Sequence, residues 1–200
     1  MELTTNPRRQ QDTAQIVPYN PTAPHVASAL KTMGDEVEFF RPYVPANLYT
    51  VFARQINAMR LGKTRQVSLV MAAYGTEPVL RCVREHLIWL KMTNLYNWSD
   101  NDVTQLATAI LRTEEARLLD FISLLGFFKD VADGKINLFG ATQRDVMQAL
   151  QKYYGGASLR DYKMRKEIET ERRINEPREL LTQEEINELK KKAELWNTEK

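Results

Sequence analysis

Apolar side chains between residues 46 and 154 recur at intervals of three and four, the period of a helix rather than of a strand. Residues 46–60 place Leu48, Val51, Phe52, Ile56 and Met59 on one face, and Gly62 stands where such a helix would stop. Thr64 to Tyr74 repeats the pattern with Val67, Val70, Met71 and Tyr74, ended by Gly75. Thr76 is then a candidate N-cap, with Pro78 in the first turn of a helix that reaches Tyr96. Its core stripe is Val79, Leu80, Val83, Leu87 and Leu90. Upstream, Pro24 to Met33 reads as a short helix closed by Gly34, and Pro42 and Pro45 bracket a turn.

The segment from about Glu114 to Asp133 is the most apolar. Leu118, Leu119, Phe121, Ile122, Leu124, Leu125, Phe127, Phe128 and Val131 cover most of a helical circumference, so this helix is expected at the centre of the bundle. Gly134 stops it, and residues 135–140 form a short extended connection before a helix from Gln143 to Tyr154. That helix faces inward with Val146, Met147, Leu150 and Tyr153 and is closed by Gly155-Gly156. Ser99/Asp102, Thr142/Asp145, Ser158/Asp161 and Thr182/Glu185 share the spacing of a capping box, a hydroxyl followed three positions later by an acid.

The ends behave differently. Residues 1–24 carry Pro7, Pro18, Pro21 and Pro24 among polar residues, with too little apolar surface to offset the entropy of ordering, so a disordered arm is expected. From Leu159 to Ile174 apolar residues form no stripe while charges alternate, and Pro177 ends the run. Gln183 to Trp196 then carries a narrow seam, with Ile186, Leu189 and Trp196 as the expected contacts to a protein partner. The expected fold is therefore all-α, with a disordered arm over 1–24, a single helical bundle over 25–157 and a charged helical tail over 158–200.

Charge alters this picture in one place. A net charge of +2 over 200 residues hides residues 41–98, where eight Lys/Arg face two acids, while 99–157 carries six basic and eight acidic residues and 158–200 eleven of each. Arg54, Arg60, Lys63, Arg65, Arg81 and Arg84 would form a phosphate-binding patch if they converged on one face. Net acidity of 99–157, which could hold a helix-turn-helix, argues against reading of base sequence. The single cysteine, Cys82, excludes an intramolecular disulfide, and no apolar window approaches the roughly 18–20 residues of a bilayer span. A cytoplasmic protein is expected.

Candidate chemistry is thin. Gly62-Lys63-Thr64 copies the end of a phosphate-binding loop, but Asn57 stands where that motif needs glycine and a helix precedes it instead of a strand. Cys82 and His86 have the spacing of two ligands on one helical face, yet zinc needs four ligands or three and a water, and the other histidine is His25. The pair reads as core. Glu114-Glu115 and Asp130/Asp133 read as capping and solvated acids. No catalytic residue, metal or cofactor is assigned.

One block carries a likeness. Asp120-Phe121-Ile122, Phe127-Phe128-Lys129, Gly134-Lys135, Phe139-Gly140 and Val146 to Leu150 resemble helical proteins of bacteriophages and bacterial mobile elements, over about residues 118–154. The resemblance implies a bacterial or phage origin and a role near DNA. The expected function is a non-enzymatic adaptor or accessory protein of phage or mobile-element nucleic-acid metabolism, engaging a protein partner through 158–200. Nucleic acid and self-association stay open as further contacts, and the alternative is a structural or assembly protein acting through the same tail.

Overall fold

Proline, glycine and capping side chains cut the chain into short helices that pack around one apolar element. The computed structural model describes residues 19–138, 141–175 and 190. Among them lie α1 (Pro24–Met33), α2 (Glu36–Phe40), a 3-10 turn (Pro45–Asn47), α3 (Leu48–Ala53), α4 (Gln55–Arg60) and α5 (Val67–Tyr74). They are followed by α6 (Thr76–Asn94), α7 (Asp100–Arg112), α8 (Glu114–Leu118), α9 (Phe121–Ala132) and α10 (Gln143–Asn175). The fold is all-α; among the described residues the only extended pairing is an isolated antiparallel bridge between Gln66 and Asp120. No described helix is long and apolar enough to cross a membrane.

The chain divides into two compact units, residues 1–166 and 167–200. In the first, every residue from Phe121 to Phe128 is buried, and α9 packs against α3, α5 and α6. The absence of a side chain at Gly126 is what lets α9 sit so close: a Cβ there would lie 2.4 Å from the Phe52 ring and 2.8 Å from the Tyr153 hydroxyl. Phe39, Phe40, Tyr43, Tyr74 and Phe121 form an aromatic cluster with ring centroids 5.0–5.8 Å apart. In the second unit, described residues 167–175 are mostly exposed, and Arg173 pairs with Glu169 one turn away.

Ser99 and Asp102 cap α7 reciprocally, and Thr142 and Asp145 do the same before α10. Elsewhere the helices differ from the apolar pattern. The expected helix 46–60 is interrupted at Arg54, whose N–H bonds back to Val51 O, and the bend turns Gln55 into the core. Thr64 to Gln66 are extended, because Phe121 N–H donates to Arg65 O and Val67 N–H to Leu119 O. Gly75, not Thr76, takes the N-cap position of α6.

The expected central helix over 114–133 is two helices. Leu119 and Asp120 adopt extended ψ values of 149° and 145°, and the Asp120 carboxylate caps α9 by accepting from Ile122 N–H. Leu118 is consequently 41% exposed. Helix α10 does not stop at Gly155-Gly156. Both glycines are open to solvent, while Val146, Leu150, Ala157 and Asp161 continue one buried face past them. Ser158 therefore caps nothing; its hydroxyl donates back to Gly155 O.

Candidate phosphate-binding cleft

Four helix ends meet beside the aromatic cluster. Lys31 lies in the last turn of α1, Arg41 follows α2, Arg54 stands at the break between α3 and α4, and Lys63 follows α4. All four line one cleft of about 720 Å³, in which Glu38 is the sole acidic side chain. Its walls add Met33, Val51, Ala58 and Ile122, together with the uncharged polar residues Asn47 and Thr50.

The loop carrying Lys63 is held from three sides. Gly62 takes a φ of 65°, and a Cβ there would meet the Arg65 guanidinium at 2.7 Å and the Thr32 hydroxyl at 2.9 Å. The Thr32 hydroxyl donates to Gly62 O (3.1 Å), and the Tyr43 hydroxyl donates to Lys63 O (3.0 Å). Burial, with the nearby Asp120 charge second, pushes the Tyr43 phenol up, so it remains a donor. The Thr64 hydroxyl donates to Asp120 Oδ1 (2.6 Å). Among the described residues the side chains of Lys31, Arg41, Arg54 and Lys63 form no hydrogen bond or ion pair. Four like charges on one concave surface make a positive potential that an anion relieves.

Of the six cations expected to form a patch, Arg54 and Lys63 line the cleft. Arg65 lies beside it, reaching Thr64 O (3.0 Å) and the Thr32 hydroxyl (3.4 Å), and Arg60 is exposed at the end of α4. Arg81 lies outside the cleft lining, paired with Glu36 at 3.1 Å beside a smaller recess of about 230 Å³ that also holds Glu85. Arg84 is half-buried on α6, outside both. Two of the six therefore line the cleft and four do not. Lys31 and Arg41 belong to the site, and no periodicity marks them, because each sits at the end of a different short helix. Ile186, Leu189 and Trp196 lie outside the described residues.

Behind the cleft floor lies a second polar cluster of opposite sign. Asp120 and Asp161 are 1% and 5% exposed. Asp161 Oδ1 accepts from the Ser123 hydroxyl (2.5 Å) and from Gln55 Nε2 (3.0 Å), and its Oδ2 accepts from Asp120 N–H (3.1 Å). Asp120 Oδ1 accepts from Thr64 and Ile122, and its Oδ2 lies 3.8 Å from Arg165. Burial pushes the Asp120 carboxyl up to about 7, with Asp161 adding to the rise, while the Thr64 hydroxyl and Arg165 oppose it. The cluster ties α4, the 61–66 loop, α9 and α10 together.

Cys82 and His86 are both buried, 3.9 Å apart, and His86 stacks on Phe128. Burial pushes the Cys82 thiol up and holds the His86 imidazole down to about 4, so both stay neutral. His86 Nδ1 donates to Cys82 O (2.8 Å). No group of three or more potential metal ligands occurs among the described residues. No family model, no curated protein and no solved structure matches the chain.

Proposed function

We propose that the protein is a non-enzymatic, cytoplasmic accessory factor that engages the phosphates of nucleic acid through the cleft. Its setting is phage or mobile-element nucleic-acid metabolism, as the resemblance of residues 118–154 implies, with residues 158–200 engaging a protein partner. One observation carries the reading: Lys31, Arg41, Arg54 and Lys63 converge from four helix ends on one cleft and have no partner among the described residues. Binding a phosphate there releases condensed counterions, a driving force that needs charge and access but no base recognition. The non-enzymatic part rests on Asp120 and Asp161, whose carboxylates are buried and engaged by protein donors instead of standing open to a substrate.

The test is fluorescence anisotropy with labelled mixed-sequence nucleic acid in 50 mM salt. Arg54→Glu and Lys63→Glu are each expected to weaken binding at least tenfold, and Arg81→Glu, off the cleft, to change it less than twofold. Equal losses at all three positions, or no binding by the unaltered chain, would remove the cleft from the account.

A second reading, a structural or assembly protein, draws on a different surface. Ile88 and Met92 of α6 and Leu95, which caps its C-terminus, are exposed, with Leu95 88% exposed. Light scattering decides between them: the assembly reading expects an oligomer that Met92→Lys with Leu95→Lys dissolves, and no affinity for nucleic acid.

A further inference from the structure

We propose that the nucleic acid held by the cleft is single-stranded, its backbone lying inside the recess among Lys31, Arg41, Arg54 and Lys63. The proposal rests on the phosphate reading above and narrows it to one class of ligand. Shape is the first argument. The four cations line the walls of a concavity of about 720 Å³, Lys31 from the last turn of α1 and the other three from segments that follow or join short helices. A duplex is a stiff rod with a persistence length of about 50 nm. It is read by elements that project into its grooves, the major groove being about 12 Å wide. A recess of about 720 Å³ cannot enclose a rod whose major groove alone is about 12 Å wide, whereas a flexible strand can enter it.

Wall chemistry is the second argument. Proteins that hold single strands combine a cationic groove that tracks the backbone with side chains against which the bases stack, aromatic ones above all. In the cleft the apolar surface between the cations comes from the half-buried Val51 and Ala58, over the buried Met33 and Ile122. Asn47 and Thr50 add uncharged polar groups, and Glu38 is the one acid among four cations, so the cleft keeps a net positive charge. The expected preference is for strandedness, not for base sequence.

Anisotropy with the full chain, a labelled 20-residue oligothymidylate and a labelled DNA hairpin of equal phosphate number tests this directly. The single strand is expected to bind at least tenfold tighter than the hairpin in 100 mM salt. Its logarithmic salt slope should lie near −3, about −0.7 for each of the four cations, and Arg54→Ala with Lys63→Ala should reduce it by about 1.4. Thr50→Trp fills the cleft without touching a charge. It is expected to weaken the single strand at least tenfold and to leave the hairpin within twofold. Should Thr50→Trp lose its cooperative thermal transition, Asn47→Trp plugs the same recess from its exposed lip. A hairpin that binds as tightly as the single strand, or a plug with no effect on it, overturns the strand preference and leaves the phosphate reading standing. Failure of both ligands to bind in 50 mM salt overturns the phosphate reading itself.

Discussion

The cleft and the cluster behind it are built from the same kind of material and solve opposite problems. Asp120 and Asp161 lie in the core, and protein donors engage both carboxylates: Thr64, Ile122, Gln55, Ser123 and the Asp120 backbone. In the cleft, Lys31, Arg41, Arg54 and Lys63 stand at the solvent boundary with no partner among the described residues. Buried charge left unsatisfied is expensive, so the network has to be complete for the first unit to fold. Exposed charge is hydrated and nearly free, so the cations remain available to a ligand. The difference separates residues whose loss alters stability from residues whose loss alters binding.

The largest effect should come from Asp161→Ala, which strips the acceptor from Gln55, Ser123 and Asp120 N–H together. A loss of about 3–5 kcal/mol in urea unfolding is expected, the range for one partner removed from a buried charged network. A loss under about 1 kcal/mol would show the network to be incidental.

Next comes pH. Asp120 is raised to about 7 in the folded chain against an unfolded value of about 3.9, so the folded state binds the extra proton and stability falls as pH rises between them. His86 runs the other way. Its folded value of about 4 lies below the unfolded value of about 6.5, so stability rises as pH rises across that interval. The two slopes, each at most about 1.4 kcal/mol per pH unit, oppose each other between pH 4 and 6.5. Asp120→Asn should therefore expose a loss of stability on acidification through that window, and His86→Leu a loss on raising the pH from 4 to 7. Parallel pH profiles for the two variants would refute this cancellation.

Gln55→Ala is smaller again, about 1–2 kcal/mol, because Asp161 Oδ1 keeps the Ser123 hydroxyl when the amide is gone. Urea midpoints compared with those of Asp161→Ala check that order.

The apolar period reveals the helical class, α6 and the centrality of Phe121–Phe128, because a buried stripe has to repeat at the pitch of its helix, while proline, glycine and the Ser99/Asp102 spacing mark α1 and the start of α7. It conceals the breaks at Arg54 and at Leu119-Asp120, since the first closes locally on Val51 O beside a Gln55 side chain bonded to Asp161, and the second is tied by backbone bonds to the distant 65–67 segment. Asp120 within a greasy stretch was the available signal, an N-cap residue where a continuous helix would have no use for one. Asp161 shows the converse error: its spacing from Ser158 imitates a cap, while its position on the Val146–Leu150–Ala157 face places it in the core. As for the cleft, Arg54 and Lys63 were visible as part of a cationic stretch. Arg41 lies in the same stretch but outside the expected patch, and Lys31 lies outside both, because convergence of helix ends is a property of packing and leaves no period in one dimension.

The sharpest measurement pairs stability with binding in one preparation of Arg41→Ala/Arg54→Ala/Lys63→Ala. Unfolding free energy within about 0.5 kcal/mol of the unaltered chain, the usual range for exposed substitutions, together with loss of oligothymidylate binding, is the predicted result. A chain destabilised by more than about 1 kcal/mol that still binds as before would contradict it, for those cations would then serve the fold and not a ligand.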